Sequence, residues 1–395
     1  MTKKKQTQAE KFIQTNFADV DLPPTGNLVA RMAFLEKENS RLSKALIGQQ
    51  VSTELILDRV REVWDGHAPM KISAAPTTDK RKLDELVAVL VLSDAQIGKA
   101  TATYNAAVAH KRITELFADK ATQLIKVQRA GFVINDLRIY IIGDMVEGET
   151  IFPHQPHEIE MSLFKQAVEA APKIMSTLIA KMLAIVPKVT VVTVPGNHGR
   201  SGSKYSGASP ETNWDNVSYH VTKLMLESSL TPQERARLNF RISENFYAID
   251  YVWEWGNFLL HGDTIRGGFA GIPFYGVSRK LHGYIDSIPE PFDYMHIGHF
   301  HQSASGVQNY HQWFINGTTE SGNTYAQAQL AAAGYPCQRM FFMHKDHGMH
   351  SEHLVWLTDE RVPTIAKMRR SVAEFDRRNK TTLPPFENET AFKSR

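Results

Sequence analysis

Along most of the chain, apolar runs of strand length alternate with longer stretches in which apolar residues recur every three or four positions. Residues 86–92, LVAVLVL, are apolar without a break, the mark of a strand buried on both faces. A helical pattern follows from Tyr104 to about Arg129. Then come the run LRIYII, a second helical pattern from about Ile159 to Leu183, and the run VTVVTV. Strands alternating with helices predict a sheet covered by helices. Beyond Pro232 the pattern shortens to the strand candidates NFRI, FYAIDYVWEW, NFLLHGD, YMHIGHFH, WFINGT, RMFFMH and HLVWL, which predict more antiparallel pairing in the second half.

The first 85 residues read differently. Leu28, Leu35 and Leu42 share one heptad position, and Met32, Asn39 and Leu46 share the other. With a buried amide at Asn39 to set register, this seam predicts a short coiled coil and a homodimer joined through it. An amphipathic helix packed on its own domain fits the same residues. The stretch SAAPTTDKRKLDE has the proline and charge content of a linker. The organisation expected is therefore an N-terminal helical extension over 1–85, a catalytic domain over 86–360 and a basic tail over 361–395. That tail carries nine Lys or Arg against four acids, a local charge of +5.

Composition narrows the function classes. The chain has 395 residues, 42% of them hydrophobic, enough for a large packed core. Lys and Arg number 45 against 42 Asp and Glu, so any surface for a polyanion is local. The single cysteine, Cys337, excludes an internal disulfide, and no segment approaches 18 consecutive apolar residues. The basic start MTKKKQTQAEKF lacks the apolar core of a signal peptide. A cytoplasmic protein without a membrane partner is expected.

The chemistry lies where the apolar runs stop. They end in Asp94 (SDAQ), Asp144 (GDMVEG), Asn197 and His198 (PGNHGR), His261 (LLHGD), and His299 with His301 (IGHFHQ). One strand-end Asp is ordinarily a turn or cap, and one His is ordinarily a core residue. Five such endings together point to a ligand site at the carboxyl edge of the sheet. Carboxylates, an amide oxygen and imidazoles form a mixed oxygen and nitrogen set suited to Mn²⁺, Mg²⁺, Fe or Zn²⁺, without the thiolates of a structural zinc site. Two such cations, about 3.5–4 Å apart, polarise a phosphoryl oxygen and activate water. Glycines beside the donors allow close approach of substrate and metals. The run IGKA does not complete a phosphate loop, since Ser93 and Ala100 stand where glycine and Ser or Thr are required.

The ordered set SDAQ, GDMVE, GNHGR, HGD and GHFH resembles the calcineurin-like metallophosphoesterases, over roughly residues 86 to 320. In character it is nearest to phage and prokaryotic members of the DNA-repair exonuclease type. The resemblance implies an α/β fold, a two-sheet β-sandwich flanked by helices in four layers, with two divalent metals, foremost Mn²⁺, at the sheet edge. It implies that Asp94, Gln96, Asp144 and His301 surround one metal, while Asp144 bridges to a second completed by Asn197, His261 and His299. His198 then orients the scissile phosphate and protonates the leaving oxygen, a task suited to an imidazole.

Two positions depart from the pattern. Gln96 stands where the family has a histidine, so it is expected to bind the first metal more weakly, to leave its place to water, or to favour hard Mn²⁺ or Mg²⁺ over Zn²⁺. Glu147 replaces a second aspartate, a mild change in a residue outside the ligand shell. Arg200 and Arg266 follow the third and fourth motifs and are candidates to clamp a substrate phosphate. The histidines of HKDHGMHSEH read as a hairpin tip, and those of IFPHQPHEIE, His154 and His157, as a loop near the site. The function expected is a metal-dependent DNA nuclease. A phosphomonoesterase or small phosphodiesterase, and an inactive scaffold on the same fold, are the alternatives.

Overall fold

The computed structural model describes residues 76–149, 151, 155–201, 212–266, 271–322 and 335–358. The heptad seam, His154 and the basic tail lie outside the described residues. The strands are β1 (Glu85–Leu92), β2 (Val133–Ile142), β3 (Lys188–Val194), β4 (Leu238–Ile242), β5 (Tyr247–Val252), β6 (Trp255–Leu260), β7 (Tyr294–Ile297), β8 (Ala304–Gln308), β9 (His311–Ile315), β10 (Cys337–His344) and β11 (Gly348–Trp356). They form a six-stranded sheet in the order β11-β10-β1-β2-β3-β4 and a five-stranded sheet in the order β5-β6-β7-β9-β8.

The pattern of β1 is explained by its place. Leu86, Ala88, Leu90 and Leu92 face one layer, and Val87, Val89 and Val91 face another. On the first side lie α1, in which Ala106–His110, the π-helical segment Lys111–Phe117 and Ala118–Gln128 run on without a break, and α2, built likewise from Leu163–Lys165, Gln166–Ala170 and Ala171–Leu183. On the second side lies the five-stranded sheet, whose Leu259, Tyr294 and Phe314 meet Val192 and Val194 of β3. The outer face of that sheet is covered by a further helix, Phe274–Ser287, through Val277, Leu281 and Tyr284. Four layers result, helix, sheet, sheet, helix, and each buried Leu or Val contributes about 1.5–3 kcal/mol.

The expected linker is not free at its end. Asp79 N–H donates to Asn135 Oδ1 (2.8 Å), and Asn135 Nδ2 donates to the Asp79 carbonyl (3.0 Å). The candidate FYAIDYVWEW is two strands, turned at Trp253 (φ +55°) and Glu254, where Val252 pairs with Trp255. No Gly or Asn marks that turn, so the pattern carried no signal for it. Helix α3 (Trp214–Ser229) and helix Phe274–Ser287 were not anticipated, nor was β8, whose ASGVQ is too polar to read as a strand. The antiparallel pairs expected of the second half are present, β5–β6, β8–β9, β10–β11 and β10–β1, whereas β6–β7 and β7–β9 are parallel, with helix Phe274–Ser287 making the crossover from β6 to β7. The tract around His344, His347, His350 and His353 is the β10–β11 hairpin. No helix of the described residues is long and apolar enough to cross a membrane.

His296 of β7 is a core residue between the sheets, with ring centroids 5.5 Å from Tyr140 and Phe314 and 5.3 Å from Phe341. Nε2 lies 3.0 Å from Asn257 Oδ1, which makes it the protonated nitrogen of a neutral ring. Burial, with Arg339 nearby, pushes the ring down to about 3. Unfolded histidine takes its proton near 6.5, so between pH 6.5 and 3 the unfolded chain holds more protons and stability falls as pH falls, by about 1.4 kcal/mol per pH unit. His296→Gln, which keeps the donor but does not titrate, is expected to flatten that part of the decline in urea midpoint. Superimposable pH profiles for the two proteins would remove His296 as the cause.

Candidate metal centre

The loops that leave β1, β2, β3, β6 and β7 meet at one edge of the two sheets, and there they adopt backbone that ordinary residues avoid. Seven non-glycine residues among those described have positive φ, and five are Asp94, Gln96, Asp144, His299 and His301. Left-handed backbone costs roughly 1–2 kcal/mol per residue, so its concentration here marks a site whose shape is held by its surroundings.

The GD and GN loops are pressed together. A Cβ on Gly196 would lie 2.1 Å from Asp144 Oδ1, and one on Gly143 would lie 2.6 Å from Gly196 Cα. The glycines expected to admit substrate and metals thus admit the neighbouring loop. A buried residue absent from the expected site, Asp215, holds both loops: its carboxylate accepts the N–H groups of Asp144 (2.9 Å), Met145 (3.0 Å), Val146 (3.1 Å) and Gly196 (2.8 Å). Burial and the nearby Asp144 push its carboxyl up to about 6, leaving it ionised at neutral pH. Asn213 caps α3 by accepting the Asp215 N–H (2.8 Å) and donates to the Gly196 carbonyl (2.7 Å).

Asp144, His261 and His299 converge, with ligand atoms all within 4.8 Å of one another. His261 Nδ1 lies 2.9 Å from the Ile142 carbonyl, which orients Nε2 toward Asp144 Oδ2 at 2.9 Å and Asn197 Oδ1 at 3.2 Å. Burial opposes charge on His261, but Asp144 outweighs it and pushes the ring up to about 10. His299, half-buried and beside His261, is pushed down to about 4 by desolvation and the neighbouring imidazole. One carboxylate, one amide oxygen and two imidazoles around one point fit a divalent cation of the Mn²⁺, Fe or Zn²⁺ kind, for which a proton on His261 competes.

Asp94 accepts the His299 N–H on both carboxylate oxygens (2.9 and 3.0 Å), and its Oδ1 lies 3.3 Å from His301 Nε2. His301 is oriented from behind by Glu320, whose Oε1 lies 2.7 Å from Nδ1. Burial opposes charge on this ring too, but Glu320 and Asp94 push it up to about 10. Gln96 is buried with its Nε2 3.2 Å from His301 Nε2 and 3.4 Å from His198 Nε2, and its Oε1 accepts a hydrogen bond from Lys99 Nζ (3.1 Å). Lys99 is itself buried, 2.8 Å from Glu320 Oε2 and 3.8 Å from Glu147 Oε2, and these acids raise its pKa against the effect of burial.

His198 Nδ1 is 2.7 Å from the Glu147 carbonyl and 3.3 Å from both Glu147 Oε2 and Gln155 Nε2, which turns Nε2 toward the cleft. Burial is outweighed by Asp144 and Glu147, which push the imidazole up to about 9, so it carries a proton at neutral pH. Among the described residues of the IFPHQPHEIE loop, Gln155 reaches the site and His157 is exposed. Arg200 is ion-paired with Asp263, and Arg266 is exposed.

The structure therefore brings together Asp94, Gln96, Asp144, Asn197, His198, His261, His299 and His301. Missed were Lys99, Asp215, Glu320 and Gln155. Glu320 follows β9 as the other donors follow their strands, and Asn213 is a helix-cap signal that would have drawn attention to Asp215. Lys99 stood in a motif read only as a failed phosphate loop.

No protein-family model matches the sequence, and a comparison with curated proteins found no match. Solved structures are similar to it at low identity and low TM-score. Zinc-complexed Vps29 from Entamoeba histolytica is 11% identical, with a TM-score of 0.32 over 69% of this chain and 99% of that one. Yfce, a phosphoesterase from E. coli, is 13% identical, with a TM-score of 0.31 over 68% of this chain and 99% of that one. An archaeal phosphodiesterase is 9% identical, with a TM-score of 0.30 over 68% and 99%. The functional reading rests on the residues of the site itself.

Proposed function

We infer that this protein is a divalent-metal-dependent hydrolase of phosphoester bonds, acting on phosphodiesters of nucleic acid, DNA foremost. The observation that carries the hydrolytic reading is the convergence of Asp144, Asn197, His261 and His299 beside a protonated His198. Those four residues would hold a divalent cation, which when bound would supply charge to polarise a phosphoryl oxygen and activate water. The chain's own residues do the rest. His198, fixed through Nδ1 by Glu147, presents the Nε2 proton to a departing oxygen. Asp215 keeps Asp144 and Asn197 on adjoining loops without occupying the cleft. Support for nucleic acid comes from the local +5 of the C-terminal tail, suited to a phosphate backbone.

The test is hydrolysis of labelled single- and double-stranded DNA, and of a small diester and monoester, by metal-stripped protein resupplied with Mn²⁺, Mg²⁺ or Zn²⁺, with His261→Ala as control. Metal-restored DNA cleavage, lost in His261→Ala, is the expected outcome. Turnover of only the small esters would transfer the reading to the phosphomonoesterase or small phosphodiesterase. Inactivity with every ion would leave a scaffold on this fold.

A further inference from the structure

The two halves of the centre are built differently. Around Asp144, Asn197, His261 and His299 the donor atoms face one point. Around Asp94, Gln96 and His301 the side chains are as close, Asp94 Oδ1 lying 3.3 Å and Gln96 Nε2 3.2 Å from His301 Nε2, but Gln96 presents its nitrogen and not its oxygen, and neither Asp94 nor His301 joins a group of three or more His, Cys, Asp or Glu with ligand atoms within 4.8 Å among the described residues.

Three residues, Gln96, Lys99 and Asp144, account for the difference. The Gln96 oxygen is turned away from the imidazoles by its hydrogen bond from Lys99 Nζ at 3.1 Å, and the NH₂ is turned toward them. A neutral amide nitrogen does not ligate a metal, and turning the amide over would break the hydrogen bond from Lys99. The ammonium already provides a cation, lodged 2.8 Å from Glu320 and 3.8 Å from Glu147. Asp144, the residue that would be shared between two metals, commits Oδ1 to the His198 N–H (2.8 Å) and directs Oδ2 at His261 (2.9 Å).

We propose that the centre holds one divalent cation per chain, on Asp144, Asn197, His261 and His299, and that Lys99 and Gln96 stand in for a second. Lys99 contributes fixed positive charge that balances Glu147 and Glu320. Gln96, oriented by that lysine, presents an NH₂ between His198 and His301, placed to donate to a phosphoryl oxygen where a second cation would otherwise draw it. This inference rests on the reading of the site as a metal centre and changes its stoichiometry.

Equilibrium dialysis of the stripped full-length protein against Mn²⁺, and separately Zn²⁺, with metal per chain counted by elemental analysis, tests it. One ion per chain is expected for the wild type and for His301→Ala, with none in His261→Ala. The Mn²⁺ form is expected to give the six-line electron paramagnetic resonance spectrum of an isolated ion. The double variant Gln96→His with Lys99→Met, which supplies an imidazole and removes the ammonium, is expected to raise the count toward two. Should that variant not fold, the wild-type and His301→Ala counts decide by themselves. Two ions in the wild type, one of them lost in His301→Ala, overturn the inference while leaving the phosphoesterase reading intact. Zero with both ions overturns the inference and the metal-dependent reading together.

Discussion

Replacing His198 by Ala is expected to lower turnover of DNA by about 10²–10⁴-fold, the range for losing a positioned general acid. The expectation follows from how the ring is held. Nδ1 is engaged by the Glu147 carbonyl at 2.7 Å, so the mobile proton sits on Nε2, and Asp144 and Glu147 keep the ring protonated at neutral pH. A proton donor matters most when the leaving oxygen is a poor leaving group. For a p-nitrophenyl diester, whose leaving group departs without help, the loss is expected to stay below about tenfold. The comparison of the two substrates in wild type and variant is the measurement. Equal losses on both would assign His198 to binding the phosphate and not to proton transfer.

Asp215→Ala is expected to destabilise the protein by about 3–5 kcal/mol, a loss of the size reserved for broken buried networks. Four buried backbone N–H groups, from Asp144, Met145, Val146 and Gly196, would lose their acceptor at once. The donors belong to the two loops that carry Asp144 and Asn197, so metal affinity is expected to fall with stability. Asp215→Asn retains one oxygen in place of two and is expected to lie between wild type and Ala. Urea unfolding of the three proteins at unchanged slope gives the numbers. An Asp215→Ala midpoint within about 1 kcal/mol of wild type would show that water replaces the carboxylate without difficulty.

Much of this centre is legible in one dimension because ligands in an α/β sheet sit where strands end. A strand buried on both faces must be apolar, so the first polar residue after it is conspicuous, and Asp94, Asp144, Asn197, His261 and His299 each follow such a run. The same reasoning yields β1, β2, β3, α1 and α2, whose periodicities are strong. It fails where the local signal is weak: the Trp253–Glu254 turn has no turn residues, and β8 has no apolar face to speak of.

By itself the sequence determined the layered α/β architecture around β1 to β3, the strand-end positions of the site, and the presence of the Gln96 amide among its donors. Which of those groups face one another was decided only in three dimensions. Asp215 stands 71 residues from Asp144, and Glu320 stands 221 residues from Lys99, a separation at which no periodicity relates one position to the other. Buried N–H groups need acceptors, and buried charges need partners. Packing of the two sheets chose those partners, and the Lys99 ion pairs with Glu320 and Glu147, invisible along the chain, set which way the Gln96 amide points.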